Sequence, residues 1–589
     1  MSQSPQVLLF RPPVREFSDS PFQWATGPGR SYPIGLAYLA GALRQEGIGV
    51  EILDAWAYPG AERSPLPREL GYLRGLSDLR YSWHSADFFH QGMPAKRIRD
   101  FLRRGNFPIV GVSSMFSGYH LDALTWADEI KKILPKAVVI LGGSATTASA
   151  EMTLSHSSVD FVVLGEAETS FPKLARAILN GDSVTIREIH GVGFKESGAL
   201  RLRPRGDFIP DPDSLPRPAH DLVNHSYYRL GASRSPYAGL FTSRGCPHLC
   251  DFCTIYISMG RKFRVHSPER VLEDIRHCRD NYGTRVFYIE DDNFAFDPER
   301  AKAILRLVIR EFGAKKLVFR DFNGMTALSL RDKELVSLMA QAGFDMVWIA
   351  LESEDADVRR IMKKPGSVAH FSEAVRNCAQ AGIYVGAFTI IGLPYSTLAK
   401  DIQTQLFCLT QPCAATPILY YPIPTTPQYD YCVKQGWVRP EPRFMPRLRS
   451  ETFVASRPGY SRREAFTLIN LAKLFGRFKL AARSLLSEGE QVPFRELASR
   501  RHKSHPCRVK KGANDEIAII RDGLEDTDIL FFQIDSLLRY GELAGVVARD
   551  GNQARLKPAK PSRKVVSSFL SGLPAHPLRY ASGGEVPFS

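Results

Sequence analysis

Cysteine is scarce here, nine residues in 589, too few and too scattered to form a disulfide scaffold in a chain of this length. Long apolar runs are missing as well. None approaches the ~18 residues a membrane-spanning helix needs, and the opening Met1-Ser2-Gln3-Ser4-Pro5 lacks the basic-then-apolar pattern of a signal peptide. A cytoplasmic protein without membrane insertion is expected. Charge of one sign is not concentrated either: lysine and arginine outnumber aspartate and glutamate 77 to 62, but the excess is spread along the chain, so no nucleic-acid partner is expected. The length exceeds what one hydrophobic core serves, and a reducing compartment leaves the cysteines as thiols free to bind metal.

What the sequence does contain is an alternation of strand and helix. Strand-like runs at Val7 to Phe10, Val50 to Leu53, Ile109 to Ser113, Ala137 to Leu141 and Phe161 to Leu164 are separated by amphipathic helices, the first at Ile34 to Glu46 with Leu36, Leu39, Ala40 and Leu43 on one stripe. That pattern predicts a doubly wound, Rossmann-like α/β domain over residues 1–200, whose ligand lies beyond the carboxyl ends of its strands. Three successive ends are small or polar: Ser113-Ser114, Gly142-Gly143-Ser144 and Gly165-Glu166. Small residues there let a bulky ligand approach the backbone. Residues 55–108, with Arg63, Arg68, Arg74, Tyr81, His84 and His90, are too long for an ordinary connection and read as a partly helical insertion. The proline-rich stretch that follows, within residues 201–235, reads as a linker.

A second series begins near Leu240 and continues to residue 440. Strands are expected at Leu240 to Thr242, Val286 to Ile289, Leu317 to Phe319, Met346 to Ala350, Tyr384 to Ile391 and Ile418 to Tyr421, with helices between them. Six units are too few to close an eight-stranded barrel, so the expectation is a partial (β/α)6 barrel with its chemistry at the strand carboxyl ends. Residues 441–589 read as a small, mostly helical α+β domain, with a helix at Arg462 to Leu486, an α+β patch from Glu516 to Val547 and a poorly ordered tail.

The loop after the first barrel strand, T-S-R-G-C-P-H-L-C-D-F-C (242 to 253), holds Cys246, Cys250 and Cys253 as C-x3-C-x2-C. Three thiolates can hold three irons of a four-iron cluster and leave the fourth open to a ligand. Zinc would have to recruit His248 or a distant cysteine, and the spacing is unusual for it.

With Phe252 before its last cysteine, this loop resembles the signature of radical S-adenosylmethionine enzymes, and Y-I-E-D-D-N-F (288 to 294), N-G-M (323 to 325), A-L-E-S (350 to 353) and I-I-G-L-P (390 to 394) fall at successive strand ends as in that family. The resemblance implies a [4Fe-4S] cluster on the three cysteines, with S-adenosylmethionine near Glu290, Asp291, Asn323, Glu352, Ser353 and Gly392. Glu352 reads equally as a buried barrel carboxylate. Tyr395-Ser396 stands where relatives often have Gly-Glu. Y-P-I-G-L-A-Y-L-A-G-A-L (32 to 43), I-L-D-A (52 to 55), V-G-V-S-S (110 to 114), L-G-G-S (141 to 144) and L-G-E-A-E (164 to 168) resemble the cobalamin-binding domain fused to one large class of these enzymes, which implies cobalamin at Ser113, Ser114, Gly142, Gly143, Gly165 and Glu166. The two resemblances span residues 5 to about 437. The D-x-H-x2-G loop that gives many cobalamin proteins a histidine ligand is absent: the first loop reads R-P-P-V-R-E-F-S-D. Cobalamin is then expected without its own base or a histidine of that loop beneath it, leaving the lower face to water or to Arg68, Arg74, His84 or His90.

The resemblance further implies reductive cleavage of S-adenosylmethionine to a 5′-deoxyadenosyl radical, hydrogen abstraction from the substrate, and methyl delivery from methylcobalamin recharged by a second S-adenosylmethionine. The expected substrate is a small molecule of natural-product assembly, methylated at carbon or phosphorus, and the expected partner is an electron donor such as flavodoxin or ferredoxin. Three alternatives stand beside this reading: tryptophan 2-C-methylation without hydrogen abstraction, oxidation of the anaerobic magnesium-protoporphyrin ester cyclase type, and a non-catalytic cobalamin or cluster sensor. A methylthiotransferase is disfavoured because the first domain has no cysteines for an auxiliary cluster.

Overall fold

The computed structural model describes residues 6–19, 31–65, 84–230, 235–409 and 411–438, then Arg457, Tyr460, Ala465, Leu468, Ile469 and Ala472, and strands within 491–556. In the first domain, β1 (Val7–Arg11), β2 (Val50–Asp54), β3 (Ile109–Ser113), β4 (Val138–Gly142) and β5 (Phe161–Val163) run parallel in the order β2-β1-β3-β4-β5, and β6 (Val192–Glu196) and β7 (Ala199–Leu202) add an antiparallel edge. Helices cover both faces, so these strands are almost continuously apolar, and all of β1 is buried. The strand order reverses between β1 and β3, which opens a crevice at the carboxyl ends.

Where the sequence predicts a partly helical insertion, Val14–Asp19, Ala61–Arg63 and His84–Gln91 form a small antiparallel sheet. Its longest strand carries Phe88 and Phe89, aromatic residues that favour extended backbone. Helix Ala95–Arg104 then serves as the crossover from β2 to β3. Arg68, Arg74 and Tyr81 lie outside the described residues, as does the His84 side chain.

The second domain is a curled sheet whose six parallel strands run in chain order, β8 (Ser235–Leu240), β9 (Val286–Ile289), β10 (Val318–Met325), β11 (Phe344–Glu352), β12 (Tyr384–Ile391) and β13 (Ala414–Leu419), with Arg229–Leu230 as a seventh, antiparallel edge on β8. Helices start where local chemistry dictates. Ser267 and Asp297 each accept a bond from the amide three residues on, with proline at the first helical position. The first strand ends before Thr242, and the last begins earlier than predicted, with Pro417 inside it, tolerated on an edge strand.

The proline-rich segment between the domains is packed rather than free. Ile209, Leu215, Val223 and Tyr228 join the barrel core, which continues into the first domain through Tyr32, Ile34, Ala37 and Tyr38. Ala219 packs into the first domain's own core, and its amide donates to Ala37 O at 2.9 Å.

Beyond residue 440 the described residues are few. Ala465, Leu468, Ile469 and Ala472 are helical, within the segment predicted as a helix at Arg462 to Leu486, and Gln491–Pro493, Cys507–Lys511, Ile517–Arg521, Val547–Asp550 and Gln553–Leu556 form a five-stranded antiparallel sheet. The tail lies outside the described residues.

Candidate functional site

Cys246, Cys250 and Cys253 sit half-buried in the loop beyond β8, all as free thiols. The loop is held from beneath by Asp291, just past the end of β9: its carboxylate accepts from Thr242 N at 2.6 Å and from the hydroxyls of Thr242 and Ser243. Asp292 accepts from Gly245 N at 2.9 Å. Burial pushes all three thiols up, Cys253 to about 12. Such sulfurs ionise only when a cation compensates them, which suits a metal-bound donor set. Among the described residues no three Cys, His, Asp or Glu side chains close on one point, as a zinc site demands. An iron–sulfur cubane asks for something else, each thiolate on its own iron, and the all-thiol donor set fits it.

At the remaining barrel strand ends, Glu352 and Ser353 are buried. Glu352 holds a left-handed φ of 64° and pairs with Lys364 at 3.0 Å, the Lys364 side chain being 9 % exposed. Burial disfavours the ammonium, but Glu352 and Cys250 opposite it hold its pKa above the ordinary value. Glu290 is pushed up to about 7 by burial against the nearby charge of Arg11 and a bond from Asn323, whose side chain is exposed. Asp292 and Asp321 are likewise raised to about 7 by burial. Both polar atoms of the Asn293 amide are buried without a protein partner. Leaving them unsatisfied costs about 1–3 kcal/mol each, so this strand end is shaped for a polar ligand such as S-adenosylmethionine. Gly392 N donates to Asp401 at 2.6 Å, Ser396 and Tyr460 donate to the same carboxylate, and Arg457 donates to the carbonyls of Gly392, Leu393 and Ser396. Ser396, at the position that departs from the family pattern, thus has a structural partner.

In the first domain, Ser113, Ser114, Gly142, Gly143 and Gly165 converge at the carboxyl ends of β3, β4 and β5. Gly143 has φ 105°, and a Cβ there would fall 2.5 Å from Ser114 O. Only glycine fits, because the turn after β4 packs directly on the backbone after β3, and the mouth of the crevice there presents only serine and glycine. Ser114 also bonds His120 at 2.7 Å, and the other ring nitrogen of His120 bonds Thr153 at 3.0 Å; burial lowers this histidine to about 4. Where other cobalamin proteins carry a histidine loop, this chain passes from β1 into the extended strand Val14–Asp19. His90 is engaged with Met93 O at 3.0 Å.

Glu166, expected as a cofactor contact, has its carboxylate engaged within the protein. Its carboxylate is taken up by Arg244 at 3.2 Å, Arg264 at 2.7 Å and the amide of Ile209 at 2.9 Å, and Glu168 adds a second bond to Arg244 at 2.7 Å. These four charged side chains are 2–9 % exposed. Arg244 lies two residues before Cys246, so this cluster ties the cysteine loop to the crevice of the first domain. Sequence reasoning missed Lys364, Asp292, Asn293, Asp401, Arg457 and the two clamp arginines. Only Asp292 and Asn293 gave a signal, as part of E-D-D-N.

The Radical SAM superfamily matches residues 240–404 and the B12 binding domain residues 77–175. Cytidylyl-2-hydroxyethylphosphonate methyltransferase of Streptomyces wedmorensis is 30 % identical over 461 residues, covering 70 % of this chain and 80 % of that protein. Hopanoid C-3 methylase of Methylococcus capsulatus is 27 % identical, covering 62 % and 64 %. The structure of TsrM from Kitasatospora setae, solved with cobalamin and a [4Fe-4S] cluster, shares the fold at TM-score 0.53 and 17 % identity, covering 74 % of this chain and 76 % of that one. Among the described residues no helix is long and apolar enough to cross a membrane. A [4Fe-4S] cluster, S-adenosylmethionine and cobalamin are therefore this enzyme's cofactors, and the chain belongs to the cobalamin-dependent radical S-adenosylmethionine methyltransferases.

Proposed function

We propose that the enzyme methylates an unactivated carbon, or a phosphinate phosphorus, of a small-molecule biosynthetic intermediate in the cytoplasm, drawing electrons from a flavodoxin or ferredoxin. One observation carries this reading: the three-thiol loop and the crevice of the cobalamin domain are fixed against each other through Arg244 and Glu166. Radical generation and methyl delivery are thereby held at a fixed separation.

When bound, the three cofactors supply reductive cleavage of S-adenosylmethionine, hydrogen abstraction and a transferable methyl group. The protein's part is to hold and orient. Cys246, Cys250 and Cys253 bind the cluster, while Asp291 and Asp292 fix the loop that carries them. Lys364 and Glu352 offer opposite charges to the amino-acid end of S-adenosylmethionine, and Glu290, Asn323, Ser353 and Gly392 line the rest of its strand-end site. Ser113, Ser114, Gly142, Gly143 and Gly165 receive the corrin. Glu166 acts at one remove, by positioning the cysteine loop.

The test follows the fate of S-adenosylmethionine. Hydrogen abstraction leaves 5′-deoxyadenosine, and recharging cobalamin leaves S-adenosylhomocysteine. Reduced, cobalamin-loaded enzyme incubated with candidate substrates from its gene neighbourhood should form both in roughly equal amounts per methylated product. S-Adenosylhomocysteine alone would indicate the tryptophan-type reaction. Turnover without S-adenosylhomocysteine would indicate cyclase-type oxidation and end the methylation reading.

A further inference from the structure

The barrel strands carry two sets of side chains, as a pleated strand must. On β11, Val347, Ile349 and Leu351 are buried on the helix-covered face, whereas Met346, Trp348 and Ala350 are only half-buried on the concave face. The same alternation on neighbouring strands places Phe322 and Phe388 on the concave face, and Tyr288 shares that face through its register with Arg320 and Met346. Their rings form a continuous wall one layer deeper than the strand ends: Tyr288 to Phe322 at 5.2 Å between centroids, Phe322 to Trp348 at 4.4 Å and Trp348 to Phe388 at 6.2 Å.

Trp348 is seated rather than loose. A Cβ on Gly386 would fall 2.4 Å from the indole, so glycine is what allows the ring to lie against β12, and the indole N–H donates to Thr416 Oγ1 at 3.1 Å. A fixed, half-buried indole in a lumen is a preformed stacking surface. Among the described residues, the cation that adjoins the wall is already matched. Arg320, which interacts with Tyr288, donates to both carboxylate oxygens of Asp345, at 2.8 and 2.6 Å. A phosphorylated or carboxylated group placed against the wall would be desolvated without a free counter-charge from it.

We propose that the lumen takes an uncharged substrate presenting a flat aromatic or polycyclic ring, stacked on Trp348 between Phe322 and Phe388. This rests on reading the chain as a cobalamin-dependent radical methyltransferase. The experiment measures binding on anaerobically reconstituted holoenzyme by equilibrium dialysis, using 2-naphthol as a neutral ring and cytidine 5′-monophosphate as a phosphorylated one. Saturable 2-naphthol binding near one site per chain is expected, weakened about tenfold in Trp348→Leu and again in Phe388→Leu, with no saturable binding of the nucleotide. Saturable nucleotide binding that 2-naphthol does not displace, or 2-naphthol binding unchanged in both variants, overturns the proposal. Iron and cobalamin content and substrate-independent cleavage of S-adenosylmethionine to 5′-deoxyadenosine are scored on the same wild-type preparation. If these are missing, the enzyme reading fails; if they are present and 2-naphthol does not bind, the substrate class alone fails.

Discussion

Replacing Glu166 with alanine removes the hub of the clamp between the two domains. Its carboxylate accepts from Arg264 at 2.7 Å, Ile209 N at 2.9 Å and Arg244 at 3.2 Å, with the three charged side chains 2–3 % exposed. Breaking a buried pair by deleting one partner costs about 3–5 kcal/mol, because the other charge stays behind uncompensated. Two features set where in that range the loss falls. Arg244 retains Glu168 at 2.7 Å and Arg264 retains the carbonyls of Ile209 and Met259, which softens it. The Nε atoms of both arginines are already buried without partners, which leaves no further slack. We expect about 3 kcal/mol for Glu166→Ala and roughly half that for Glu166→Gln, which keeps an acceptor for Ile209 N but not the charge. Urea unfolding followed by circular dichroism, with hydrogen exchange resolving residues 160–170 and 240–266, measures it. In the double variant with Arg264→Met the cost should fall short of the sum by on the order of 2 kcal/mol. A Glu166→Ala loss under about 1 kcal/mol, or strictly additive costs, would refute the idea that a desolvated charge cluster joins the domains.

Two further outcomes are expected. Alanine at Cys246, Cys250 and Cys253 together should abolish cluster absorbance after anaerobic reconstitution, and a variant keeping four irons per chain with an unchanged spectrum would remove the cluster assignment. His120 has a folded-state pKa depressed to about 4, first by burial and then by His156, against about 6.5 unfolded; the unfolded chain therefore binds the proton first, and stability present above pH 6.5 is lost as pH falls toward 4. At pH 5 the loss from this residue is about 2 kcal/mol, so urea midpoints of wild type and His120→Gln should converge between pH 7.5 and 5, and curves that stay parallel would contradict it.

Where a signal was local, the sequence was legible. The C-x3-C-x2-C spacing, the apolar strand runs and the Ser267-Pro268 helix start each depend on neighbours within a few residues, and each has its place in the fold. Contacts made across the chain were not legible. Arg244 and Arg264 reach Glu166 from 78 and 98 positions away, and Arg457 reaches the Gly392 loop from 65. No periodicity encodes such a pairing, so Glu166 read as a ligand of the strand end it occupies. The sheet formed by Val14–Asp19, Ala61–Arg63 and His84–Gln91 was missed because its strands are far apart in sequence and weakly alternating. The aromatic wall lay in plain view as alternate residues on four strands, but which face of each strand looks inward depends on the curl of the whole sheet.

The packed segment between the domains also bears on how such proteins can be recombined. Ile209 belongs to the barrel's core and lends its amide to Glu166, while Ala219, ten residues later, belongs to the first domain's core and bonds Ala37. The chain thus leaves the first domain, is built into the second, and returns to the first before entering the barrel for good. A crossover point anywhere along this stretch would separate side chains from the surfaces that bury them. Exchange of one cobalamin domain for another therefore has to carry residues through at least Ala219 together with matching partners for Arg244 and Arg264, and lineages of this architecture should inherit the two halves and their connector as one block.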